Sequence, residues 1–295
     1  MFRLGYNTNG LAHHRLRDAI DLLAGLGYDG IAITPDVGEL DLFDLRPDRV
    51  RAVREHAEER GVAISIETGA RYVLDPFRKH RPNLMDPSAK GRERRVDHYR
   101  RSIDLAADLG ASVVSIWSGA AYELVSGDAP GADRALSEPL WERLAAALVP
   151  VLDHARSRSV RIGFEPEPGM FVERPAGYLE LARRLGSRSG ELGLTLDLGH
   201  LVVTGDVPAT SQIRALKAHL VHVHLDDARA GVHEHLQLGS GELDLSSCLA
   251  ALKDIGFGGM AAVELSRDSH RAPEAAKTAL ERIRAALPNA ARTCG

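Results

Sequence analysis

Two periods of apolar residues alternate along the chain. Short runs, apolar at every second position or throughout, occupy residues 2–7, 30–34, 62–67, 112–117, 161–165, 192–197, 220–225 and 260–265. Longer runs with helical spacing lie between and after them, at 14–26, 48–60, 93–109, 138–157, 175–185, 210–218, 245–255 and 274–287. The first pattern predicts strands and the second helices. The joints agree: Gly27, Gly61, Gly110 and Gly256 each follow a helical run, where a left-handed C-cap suits glycine. Asp48 and Ser137 stand where an N-cap is useful, and Pro139 and Pro175 suit a first turn. Eight β–α units with no long linker predict a parallel sheet closed into one (β/α)8 TIM barrel over residues 1–295, with a polar tail from about 288.

Strand parity then says which side chains enter the barrel. Residues on one face of a barrel strand meet the outer helices and are apolar, so Ile162 and Phe164 face out and Glu165 faces in. The same reasoning turns Asp197, His224 and Glu264 inward, and in the first half Asn7, Thr34, Glu67 and Trp117. These are the last inward residues of their strands, at the face where this fold carries its active sites. Three carboxylates crowded into one cavity repel one another, and a divalent cation resolves the conflict. Glu165, Asp197, His224 and Glu264 are therefore the expected metal ligands, for one divalent ion (Mn, Zn, Mg or Co), among which an oxygen-rich set with one imidazole does not select.

Composition narrows the function classes. The chain is 44% hydrophobic and 26% charged, with net charge −4. It has no basic excess that would point to nucleic acid or an anionic membrane. Its two cysteines, Cys248 and Cys294, form no motif and favour a reducing, cytoplasmic setting. The N-terminus shows no signal-peptide pattern, and no apolar run reaches membrane-spanning length. The expected partner is a small carbohydrate or cyclitol substrate, with no nucleic acid and no membrane, and with a homo-oligomer left open.

The motifs FEPEPG (164–169), LDLGH (196–200), HVHLDD (222–227) followed by HEHLQLGSGELD (233–244), and AVEL (262–265) resemble the xylose-isomerase-like barrel family. That family includes sugar and cyclitol epimerases and isomerases, inosose dehydratases and abasic-site endonucleases, and the resemblance spans nearly the whole chain. It implies Glu165, Asp197, His224 and Glu264 as metal ligands, with Glu165 and Glu264 doubling as acid and base and His200 touching substrate. His235 falls where the nuclease branch has a further metal ligand, and His233 where that branch has an acid. The nuclease histidines of the third and fourth strands are Glu67 and Trp117 here, which argues for one metal rather than three. Arg229 lies near the epimerases' loop arginine, with spacing off by one.

The expected function is thus a metal-dependent isomerase or epimerase of a sugar, sugar phosphate or cyclitol. It would abstract a proton beside a carbonyl through a metal-stabilised enediolate. Trp117, with help from Phe171, would floor the sugar ring, while Glu67, His235, Arg229 and Asn7 would complete the substrate contacts. An inosose-dehydratase-like lyase on the same site is the alternative. An abasic-site endonuclease and a non-catalytic binding barrel rank below both. Other features have plainer readings. His222 reads as a core histidine, Glu167 as a substitute ligand for Glu165, and His13 and His14 as helix-start residues. The run Arg92–Arg95 reads as a solvated helix face, and Gly239-Ser240-Gly241 as a turn. The long loop after the third strand carries Arg71, Arg78, Lys79, His80 and Arg81, and its length suits a lid.

Overall fold

A computed structural model describes residues 2–35, 37, 40–69, 71–121 and 134–287. The tail from 288 and Cys294 lie outside the described residues. The strands are β1 (Arg3–Asn7), β2 (Gly30–Ile33), β3 (Ala63–Glu67), β4 (Val113–Ile116), β5 (Arg161–Phe164), β6 (Leu192–Asp197), β7 (Leu220–Leu225), β8 (Asp227–Arg229), β9 (Val232–Leu236) and β10 (Met260–Val263). The helices are α1 (Leu16–Leu26), α2 (Pro47–Glu59), α3 (Ala89–Leu109), α4 (Arg134–Ser157), α5 (Pro175–Leu185), α6 (Leu198–Thr204), α7 (Ala209–Ala215), α8 (Leu245–Asp254) and α9 (Ala272–Ala286). Eight strands close in the order β1-β10-β7-β6-β5-β4-β3-β2, with every pairing parallel, so the expected (β/α)8 barrel is what forms. β8 and β9 make a separate antiparallel hairpin over the C-terminal mouth.

The core lies between the barrel's outer face and the helices, where Ile31, Ile66, Val114, Ile162, Phe164, Leu194, Val223 and Val263 are almost wholly buried. The inner face is lined by much smaller residues. Gly5, Gly30, Ala32, Ser65, Ser115, Gly163, Gly193 and Ala262 alternate with that apolar set. Close packing explains the glycines: a Cβ on Gly30 would stand 2.4 Å from Met260 Cε, and one on Gly163 2.3 Å from Thr195 Oγ1. Ser115 Oγ donates to Thr195 Oγ1 at 2.9 Å, tying β4 to β6 beneath the mouth.

Gly27, Gly61, Gly110 and Gly256 all take positive φ at helix ends, as expected. Several boundaries moved. Asp48 sits inside the first turn of α2, behind Pro47, because Arg46 is the N-cap. Ser137 and Pro139 lie within α4. α3 begins at Ala89, since the Ser88 hydroxyl accepts from the Gly91 amide and starts the helix early. Arg95 is not a solvated face residue. It is fully buried, donates to the Pro82 and His80 carbonyls at 2.8 and 3.1 Å, and lies 5.1 Å from the Trp117 ring centroid.

Candidate active site

The C-terminal mouth opens into a cavity of about 330 Å³. Glu165, the first residue past β5, keeps the strand's parity because its amide donates to the Ile116 carbonyl at 2.7 Å. Glu264 does the same past β10, donating to the Leu225 carbonyl at 3.1 Å. His224 stands between them on β7: its Nδ1 is 3.0 Å from Glu165 Oε1 and 3.0 Å from Glu264 Oε2. Asp197 closes the group from β6, with Oδ2 3.7 Å from the same nitrogen. One ligand atom from each of the four lies within 4.8 Å of the others.

Asp197 has a second task that the sequence reading did not see. It is the N-cap of α6, and its Oδ1 accepts from the His200 amide at 2.7 Å. The Asp-x-x-His spacing is therefore a helix cap, which turns His200 toward the cavity. Asp197 Oδ2 is left buried with no hydrogen-bond partner.

The electrostatics of the cluster call for positive charge at its centre. Burial opposes a charged His224, yet Glu165, Glu67 and Glu264 outweigh it and push the imidazole well above its usual range. Burial likewise pushes Glu165 up, while His224 and His235 hold Glu264 down against its own burial. Buried carboxylates pulling a proton onto a histidine, beside an orphaned Asp197 oxygen, form a donor set that a divalent cation fits.

Around this centre, Glu67 Oε1 lies 3.3 Å from both His222 Nε2 and His224 Nε2. His222 is fully buried one layer down, as its position suggested, and burial lowers its pKa well below the usual range. Asn7 is buried at the cavity wall, and neither atom of its amide has a partner. Trp117 lines the cavity, with the His80 ring edge-on at 4.7 Å. His200 Nε2 is 3.1 Å from His233 Nε2, and burial lowers the His200 pKa to about 4. His235 Nδ1 is 2.8 Å from Asp226 Oδ2. Burial works against its charge, but Glu264, Asp226 and Asp197 hold it up at about 10.

Two expected contributors are not brought to the cavity. Arg229, on β8, is exposed and points toward Glu234 at 3.8 Å, because the hairpin turns its side chain outward. Phe171 packs on Trp141 at 4.7 Å instead. Glu167, weighed only as a substitute ligand, lines the cavity beside Glu165, and burial raises it to about 7. Sequence reasoning missed Asn9, whose Nδ2 donates to Glu264 Oε1 at 2.7 Å. It also missed Asp226, whose Oδ1 accepts from the Gly199 amide at 3.1 Å while Oδ2 holds His235. The adjacent acids Asp226 and Asp227 that close His-x-His-x-Asp-Asp were the available signal, since a buried pair of acids needs donors.

Residues 20–286 match the family described as xylose isomerase-like TIM barrel, and the chain belongs to that family. Among individual proteins, it is 27% identical over 280 residues to a 3-dehydroshikimate dehydratase of Pseudomonas putida. That match covers 92% of this chain and 39% of the dehydratase, so the chain spans well under half of that relative. It is 25% identical over 259 residues to the L-ribulose-5-phosphate 3-epimerase UlaE of Salmonella paratyphi C, covering 88% of this chain and 84% of that one. In fold it is similar to the crystal structure of IOLI protein with a binding zinc atom, with a TM-score of 0.74 and 21% identity over 97% of this chain and 98% of that chain.

Proposed function

We propose that this protein is a divalent-metal-dependent epimerase or isomerase that moves a proton at the carbon beside a carbonyl of a sugar or cyclitol. The observation that carries the reading is the convergence of Glu165, Asp197 and Glu264 on one nitrogen of His224 at the barrel mouth. Those four residues would hold the ion. Bound there, a divalent cation supplies an electrophile for the substrate's oxygens.

The remaining work belongs to the side chains. Glu165 and Glu264 flank His224 from just past β5 and β10, with β6 and β7 between those two strands. One carboxylate takes the proton from the carbon and the other returns it from the opposite face. The partnerless Asn7 amide is free to meet a substrate hydroxyl, Glu67 and His235 line the same cavity, and Trp117 offers an apolar wall to the C–H face of a ring. His200, neutral at pH 7, holds its position through the Asp197 cap.

A lyase reading uses the same first proton transfer and then expels a β-hydroxyl. The match to a dehydratase and the grouping of His200, His233 and His235 beside the carboxylates favour it as the second reading. Incubating candidate ketoses, their phosphates and keto-cyclitols with the manganese-loaded protein in D2O separates the two. Epimerisation incorporates deuterium with no change in formula, and dehydration lowers product mass by one water. No exchange and no elimination with any candidate would sink both.

A further inference from the structure

The proposed proton transfer leaves two cations at the cavity rim without a role. Besides the carboxylate cluster, Arg71, Lys79 and Arg267 line the cavity. Arg267 is engaged, since its Nη2 donates to the His233 carbonyl at 3.0 Å and Glu234 lies 3.9 Å away. Arg71 and Lys79 differ: among the described residues, no carboxylate stands within ion-pair distance of either. Their loop does carry an acid, Asp75, but that carboxylate is taken by Arg78 at 2.8 Å and by the amides of Phe77 and Arg78.

The loop holds these two charges in place. His80 donates its amide to the Arg71 carbonyl at 2.6 Å, so the segment closes on itself and brings Lys79 back beside Arg71. Beneath it, buried Arg95 binds the carbonyls of His80 and Pro82, and the Asn83 amide donates to the Ala120 carbonyl at 2.8 Å. Two donor nitrogens of Arg95, Nε and Nη2, are thus met by loop carbonyls, which ties the base of the loop to α3. The positive field is concentrated: after burial, Lys79, Arg95 and Arg71 are what press His80 down to about 4. His80 is therefore neutral at pH 7, and the rim's free charge rests on Arg71 and Lys79.

The cavity is thus polarised, with carboxylates at its inner end and two unpaired cations at its mouth. A wholly neutral sugar has hydroxyls to place but nothing for those cations. We infer that the substrate carries an anionic group, a phosphate or a carboxylate, at the end remote from the reacting carbonyl, and that Arg71 and Lys79 bind it. The fork of Arg71 suits two oxygens and the ammonium of Lys79 adds a point charge. This inference rests on the proposed chemistry for the position of the reacting end.

The test uses two matched pairs: L-ribulose 5-phosphate against L-ribulose, and 3-dehydroshikimate against its methyl ester. Each compound is titrated by calorimetry into the metal-loaded full chain and separately assayed for deuterium exchange and water loss. In at least one pair the anionic member is expected to bind tenfold or more tightly. The variant R71Q/K79Q should lower that preference at least tenfold, while R71K/K79R keeps most of it. If the double variant does not fold, R71Q and K79Q singly should each lower the preference about threefold or more. Equal binding within both pairs, or a preference untouched by these variants, overturns the inference. Exchange on the neutral members without charge preference would leave the proposed chemistry standing and remove the anion site. Charge-dependent binding with no exchange or elimination would do the reverse.

Discussion

The six residues His222 to Asp227 divide their labour by parity. His222 fills the barrel core, His224 meets four carboxylates, Val223 and Leu225 face the helices, and the two aspartates leave the strand for different partners. The chemistry at this scale was legible from alternation, because parity on a buried strand allows one assignment only. Asn9 was not, because its role depends on a hydrogen bond across 255 positions of sequence. That bond makes a prediction. Asn9→Ala should leave Glu264 without its amide donor and weaken metal binding on the order of tenfold, the usual scale for a group that orients a ligand. Competition with a fluorescent chelator measures it, and unchanged affinity would show that Glu264 needs no such support.

At the scale of elements, the hairpin of β8 and β9 decides where His233 and His235 fall. Its anchor is Asp227, which is fully buried. Oδ2 accepts from Gly239 and Gly241 at 2.8 and 2.9 Å, and Oδ1 from Leu243 and Ala228 at 2.9 Å each. Gly241 is required at this turn, since a Cβ there would meet Ala228 O at 2.3 Å. Asp227→Asn turns an acceptor into a donor facing donors and should cost about 1–3 kcal/mol in urea unfolding. A variant as stable as the parent would count against the anchor. Gly110→Ala offers a contrast: φ is +73° and an added Cβ would meet nothing nearer than Arg54 Nε at 3.9 Å, an ordinary contact, so about 1–2 kcal/mol should be lost from backbone conformation alone. The glycine caps were readable because the requirement is local. The hairpin was not, since strands of three and five residues, DAR and VHEHL, are too short and too polar to show a clear period, and their pairing is set by Asp227's reach of 16 positions to Leu243.

For the whole molecule, the mouth joins side chains from β6 and β7 and from the residues just past β5 and β10, so an ion there stabilises the closed barrel rather than one segment. At a metal concentration 100-fold above its dissociation constant, binding to the folded state adds about 2.7 kcal/mol, which corresponds to roughly 5 °C in Tm for a domain of this size. Calorimetry with manganese and with EDTA should show that gap. Asp197→Asn should abolish it while keeping the α6 cap, because asparagine caps as well as aspartate. A Tm indifferent to metal in the parent would argue against the four-residue site. Among the described residues no helix is long and apolar enough to cross a membrane.

The sequence by itself determined the barrel, its eight inward-facing mouth residues and the four carboxylate and imidazole ligand candidates. Each of these follows from a period of two or 3.6 repeated locally, and such periods survive without knowledge of neighbours. Tertiary structure alone decided the rest. It turned Arg229 and Phe171 away from the cavity, buried Arg95 under the loop after β3, set Asn9 on Glu264 and left Arg71 and Lys79 unpaired at the rim. Those outcomes depend on which distant donor or acid arrives beside each group when the barrel closes, and no local pattern encodes that.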